Sequence, residues 1–321
     1  MRTPEGFDAL REAGYSFSPF DSPRQFKKQA DILSAAVEAA SGLTDEAEII
    51  RDTVYLVLDG LVAAPQGMEF FQRFPHEEVV QFCRLAVTSR VNQLPIPVAC
   101  PVCPDYDQSG YKLNSGIGLA MSRVLKQKDN LLDFFSRRNF TVSVDVQVAD
   151  VEMLEPLILT ASGETQSSFL IKTTQTIKAI ETMVQQLGLS EIIKVRSMAA
   201  AFAEAGQFYP DLKNMNKEEI LNVLAMNGRK IRRAIEALVA ERVRLGDYDS
   251  IDPELHCEMA AEELADYATF GDFVAGQAVI LSPDALSAMP AYNFLRGREK
   301  LINPTIYLKP VKQKKLDIFM T

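Results

Sequence analysis

The 321-residue sequence has no tryptophan, two histidines, four cysteines and no long apolar run. Most of these shortages exclude something. Crossing a bilayer as a helix takes about 20 consecutive apolar residues, and no stretch of this chain approaches that length. The opening stretch MRTPEGFDALREAGYSF also lacks the short apolar core of a secretory signal. Together these absences predict a cytoplasmic chain with no membrane partner. Cys83, Cys100, Cys103 and Cys257 are too few to staple a chain this long, so reduced thiols are expected. Cys100 and Cys103 stand two residues apart with no second such pair. A structural zinc site needs four ligands, and neither His256 with Cys257 nor His76 with Cys83 is spaced like the missing half. No metal is expected. The G-x-G-x-x-G fingerprint and the P-loop lysine are absent too, so no cofactor is expected.

What is present is a globular composition. Hydrophobic residues make up 47% and charged residues 24%, which excludes disordered and fibrous classes. A net charge of -9 argues against unspecific coating of nucleic acid or anionic lipid. Apolar residues recur at spacings of three and four over residues 24–41, 44–63 and 76–92, predicting three helices, the second capped by Thr44 or Asp45. Residues 94–100, LPIPVAC, are short and bounded by proline, as a buried strand would be. An amphipathic stretch at 116–138 and the alternating FTVSVDVQVAD at 140–150 complete a β-α-β unit. Such a unit makes parallel strands whose carboxyl ends share one edge of the sheet, and ligands of open α/β sheets bind at that edge. A helix over 165–187 closed by Gly188, strands at 191–198, 278–282, 291–295 and 304–308, and helical stretches at 216–246 and 252–276 continue the pattern. The expected fold is α/β: a Rossmann-like, mainly parallel sheet flanked by helices over residues 94–321, with residues 1–93 packed on it as a helical cap.

The candidate chemistry gathers at the predicted edge, in PVACPVCPDYDQSGYKLNSGIG, residues 97–118. Cys100 and Cys103 sit between prolines where the strand ends. They read either as small buried residues or as a nucleophile or pocket wall beside a helix N-terminus that lowers the thiol pKa. Asp105, Tyr106, Tyr111 and Asn114 follow, suited to orienting a small ligand or, equally, to capping a solvated loop. Asp145 is an acid inside an apolar strand, where it needs a partner or a polar cavity. Asp150 stands at that strand's tip, placed to bind a ligand or to cap a helix. Glu263 and Tyr267 are one helical turn apart on one face, a pair suited to proton transfer and also common on helix surfaces. Arg229, Lys230, Arg232 and Arg233 make a basic stripe in an acidic chain, either a solvated face balanced by Glu236 and Glu241 or a docking strip for a phosphate backbone.

The order of these parts over residues 94–308 resembles that of the cyclodipeptide synthases, which are similar to the catalytic domain of class I aminoacyl-tRNA synthetases. In that family a nucleophilic serine follows the first strand, a second strand ends in Asp, an arginine-rich helix handles tRNA, and a late helix bears Tyr with Glu four residues on. Here CPVC, VSVDVQVAD and GRKIRRAIEALVAERVR take the first three places, while Tyr267 is followed at that spacing by Gly271, with Glu263 on its other side. The resemblance implies an enzyme of small-metabolite biosynthesis acting on an amino acid or aminoacyl ester. It puts Cys100 in the nucleophile's place and Cys103, Asp105, Tyr106, Tyr111 and Asn114 around the substrate. Asp145 and Asp150 would hold its ammonium group, Tyr267 and Glu263 would move protons, and the basic stripe would meet tRNA. The isonitrile synthases, which convert an amino acid to an isonitrile, resemble the chain comparably through TIKAIETMVQQLGLSEIIKVRSMAAAF. A non-enzymatic binding protein with a ligand at the same edge is the competing class.

Overall fold

The computed structural model describes residues 23–71, 75–102, 119–161, 163–226, 255–282 and 303–308. Helices Pro23–Ser41 (α1) and Ala47–Val62 (α2) come first, then a short strand, Met68–Phe70 (β1), and Pro75–Val91 (α3). The β-α-β unit follows as Ile96–Val102 (β2), Leu119–Ser136 (α4) and Val142–Val148 (β3). A 3-10 turn at Asp150–Leu154 leads into Pro156–Ala161 (α5), Gln166–Gln186 (α6), Ile193–Ser197 (β4) and Met198–Glu204 (α7). Tyr209–Met226 (α8), His256–Val274 (α9), Val279–Ser282 (β5) and Thr305–Leu308 (β6) complete the described chain.

The strands form one sheet in the order β1-β6-β5-β2-β3-β4. Every neighbouring pair is parallel except β1 with β6. This is the expected Rossmann-like arrangement, with one addition: the N-terminal stretch supplies an edge strand as well as helices. Three residues are too few for alternation to mark β1 in the sequence.

Alternation sorts the core onto the two faces of the sheet. Ile96, Val98, Cys100 and Val102 of β2 and Val142, Val144, Val146 and Val148 of β3 turn to one side, where they pack under α1–α4 and α6 with Phe70, Phe82, Phe134 and Phe135. Each of those rings is fully buried and contributes about 1.5–3 kcal/mol. Ala99, Ala149 and Ile280 belong to the opposite core, built with Phe202 of α7, Tyr209 of α8 and Phe270 and Phe273 of α9. The protein is thus a three-layer sandwich.

Helix ends follow local chemistry. At the start of α6 the Thr165 hydroxyl accepts from the Ser168 amide at 3.1 Å, and the Ser168 hydroxyl accepts from the Thr165 amide at 2.9 Å. The same helix closes at Gly188, whose φ of 67° suits glycine, as its sequence predicts. At α2 the cap falls on Glu46, which makes no side-chain cap bond, and Thr44 accepts the Glu46 amide at 3.2 Å instead of capping the helix. Helix α8 begins seven residues earlier than its apolar spacing suggests, with Pro210 in the first turn where a missing amide costs nothing. The strand expected at 291–295 lies outside the described residues. Among the described residues no helix is long and apolar enough to cross a membrane.

Candidate functional site

The strand order reverses at β2, with β3 and β4 on one side and β5 and β6 on the other. The crevice outside the carboxyl ends at such a reversal is where open α/β sheets bind ligands. Here the ladder at the reversal is short. β2 pairs with β3 over seven positions but with β5 only at Val98–Val279 and Ala99–Ile280. The Ile96 amide donates to Thr141 O at 2.8 Å and the Val102 carbonyl accepts from the Ala149 amide at 2.9 Å, so the even residues of β2 bond β3. The odd residues therefore face β5, and two of them are Pro97 and Pro101, which have no amide to offer. A central strand tolerates these prolines because its ladder on that side stops at Ala99.

Of the residues expected at this edge, Cys103, Asp105, Tyr106, Tyr111 and Asn114 lie outside the described residues, as do Arg229, Lys230, Arg232 and Arg233. Cys100 is described. It is fully buried in the apolar core beneath the N-terminal helices, on the face opposite Asp145. Being an even residue of β2, it turns inward with Val98 and Val102. The alternative reading of Cys100 as a small core residue is the one its surroundings support.

Asp145 projects from the sheet beside β2 with both its oxygens engaged, and Asp150, in the 3-10 turn after β3, has its Oδ1 engaged. Arg196 of β4 bonds Asp145 through Nε at 3.0 Å and also through Nη2, and Gln147 Nε2 donates to Asp145 Oδ2 at 2.8 Å. Arg196 reaches Glu204 of α7 with its other nitrogen. Burial works against the Arg196 charge, yet the bonds and charge of Asp145 and Glu204 outweigh it and raise its pKa. Asp150 Oδ1 accepts from the Ala199 amide at 2.9 Å, in the first turn of α7, where Ser197 also caps the Ala200 amide at 3.1 Å. The sequence argument that an acid in an apolar strand needs a partner therefore holds for Asp145, and within the chain that partner is Arg196. Asp150 Oδ1 thus helps satisfy the first turn of α7, whose N-cap is Ser197.

Tyr267 is half-buried on α9 against Ile220, Ala261, Leu264 and Ala265, and Glu263 lies on the same helix. One residue back, about 100° round the helix, runs a stripe that the sequence reading missed: Glu258, Glu262 and Asp266. It meets Tyr209, Lys213 and Lys217 of α8. Lys213 Nζ lies 3.1 Å from Glu262 and 2.8 Å from Asp266, and it also pairs with Glu155, just past the 3-10 turn that leaves β3. Lys217 pairs with Glu262 and, at 3.8 Å, with Glu258; the Tyr209 hydroxyl bonds Asp266. Lys213 and Glu155 side chains are only 6% and 5% exposed. Burial alone would raise the Glu262 pKa, but Lys217 and Lys213 hold it below the usual carboxylate range. The matching four-residue spacings of Tyr209, Lys213 and Lys217 and of Glu258, Glu262 and Asp266 were the available signal. Among the described residues no group of His, Cys, Asp and Glu could hold a metal ion.

No protein-family model and no curated protein matches the sequence. Among solved structures the chain is similar to a cyclo(L-leucyl-L-phenylalanyl) synthase at 17% identity, covering 71% of this chain and 95% of that one with a TM-score of 0.38. It is similar to a CDPS from Staphylococcus haemolyticus at 12% identity, covering 76% and 98% with a TM-score of 0.40. A tryptophanyl-tRNA synthetase from Encephalitozoon cuniculi bound to tryptophan is similar at 16% identity, covering 70% and 56% with a TM-score of 0.33.

Proposed function

We propose that the protein is an enzyme of small-metabolite biosynthesis that acts on an amino acid or aminoacyl ester in the crevice between β2 and β5. The observation that carries the site is the two-residue β2–β5 ladder at the point of strand reversal. The chemical class comes from the order of parts in the sequence, with CPVC and its polar continuation at this edge. In this reading Cys103, one residue past β2, takes the thiol role, since Cys100 is buried. Its thiol would need a pKa below the ordinary 8.5 or so to act at neutral pH, through a nearby base or helix N-terminus. Asp105, Tyr106, Tyr111 and Asn114 would orient the substrate, Tyr267 with Glu263 would carry protons, and Arg229, Lys230, Arg232 and Arg233 would engage the tRNA backbone.

The test is incubation of the purified protein with a pool of charged tRNAs, mass spectrometry of the small products, and a gel shift with total tRNA at low and high salt. A product containing aminoacyl groups, lost in Cys103→Ala and kept in Cys100→Ala, supports the reading. The absence of both product and low-salt shift rejects the aminoacyl-ester version.

A further inference from the structure

We propose that Lys213 is a positioning residue that sets how far β5 can part from β2 at the carboxyl edge. Three observations lead there. Its single ammonium nitrogen contacts Glu155, Glu262 and Asp266 at once. Glu155 belongs to the segment leaving β3, while Glu262 and Asp266 belong to α9, which passes through a short turn into β5. β3 and β5 are the two neighbours of β2, so one buried cation ties the segment that leaves β3 to the helix that leads into β5.

The sheet itself does little of this work. Where β3 holds β2 over seven positions, β5 holds it over two, with Pro97 and Pro101 removing the amides beyond. Lys213 supplies the restraint from the helical layer instead. At 6% exposure its ion pairs are poorly screened by water and salt. Lys217, with Glu262 and Glu258, extends the contact only between α8 and α9, so it does not reach the β3 side. The functional meaning rests on the crevice being the working site; the geometry of the restraint does not.

The test reads the restraint without any substrate. Lys213→Met alone removes the cation that Glu155, Glu262 and Asp266 share, leaving buried Glu155 uncompensated, and is expected to lower Tm by about 10 °C. Lys213→Met with Glu155→Gln removes one charge of each sign, leaves Glu262 with Lys217 and Asp266 with Tyr209, and should recover much of that loss. Native-state hydrogen exchange in this double variant then decides. Ala99 turns its amide to β5 and reports the β2–β5 rungs, whereas the Val144 amide, bonded to Ile192 O at 2.8 Å, reports β3–β4. The expected result is about tenfold faster exchange at Ala99 with Val144 unchanged. Unchanged protection at Ala99, or equal acceleration at both amides, overturns the proposal. Failure to find aminoacyl chemistry would leave either exchange result standing.

Discussion

β2 has two faces, and they are built on different terms. The face carrying Ile96, Val98, Cys100 and Val102 is buried and lined with phenylalanine rings. The other carries Pro97, Ala99 and Pro101 and lies beside Asp145, Gln147 and Arg196, where the side chains are tied by charge. Seven residues thus serve both the stability of the sheet and the opening of its edge, and the period of two keeps the duties apart. A one-residue slip would exchange them. The lesson for site assignment is that parity along a strand outweighs proximity to its end: Cys100 is near the edge yet belongs to the interior.

The largest way to break the contrast is to empty the buried face. Phe135 is fully buried there, edge-on to Phe134 at 5.2 Å between ring centroids. Phe135→Ala should cost about 3–5 kcal/mol in urea denaturation, since a packed core collapses little around the cavity. A loss below about 1 kcal/mol would mean the face is not close-packed.

A smaller effect is expected from the ionic layer over the opposite face, and it carries a pH signature. The lowered pKa of Glu262 means its charged form is favoured in the folded state. A depressed carboxyl adds stability above its unfolded pKa, about 4.3, and loses it as pH falls through the folded value. Glu262→Gln should therefore be less stable than the parent by about 2 kcal/mol at pH 7. The two thermal midpoints should converge as pH drops below about 4. A gap that persists in acid would trace to packing and not to charge.

Smaller again is the Asp145–Arg196 pair, whose side chains are 24% and 20% exposed. Solvent screening reduces what such a pair contributes, so Asp145→Ala should cost about 1 kcal/mol, and the cost should shrink in 1 M salt. A salt-independent loss would show that Asp145 matters through Gln147 rather than Arg196.

Much of this layout was readable in the chain, for reasons that differ by residue. The alternating VSVDVQV and the amphipathic run before it announced β3 and α4 because both periods extend over several repeats. Gly188 announced the end of α6 because few other residues accept its positive φ. By contrast β1, α5 and α7 have 3, 6 and 7 residues, too short to show a period. The need of Asp145 for a partner was legible, but Arg196 lies 51 residues on and only the sheet register brings it alongside. The stripes on α8 and α9 were each visible as four-residue spacings, while their meeting depends on helix packing that no local pattern encodes.

The smallest expected effect is none at all, and it tests the face assignment most directly. Burial pushes the Cys83 thiol up to about 12, leaving on the order of one thiolate in 10⁵ at neutral pH. Cys100 shares the same apolar core and has no exposed surface. Iodoacetamide attacks thiolates that it can reach, so in the folded protein at pH 7 peptide mapping should find Cys83 and Cys100 unmodified, with both labelling in step once urea unfolds the chain. Rapid modification of Cys100 before unfolding would place it on the open face of β2, reverse the parity argued from its neighbours, and return it to the crevice as the candidate nucleophile.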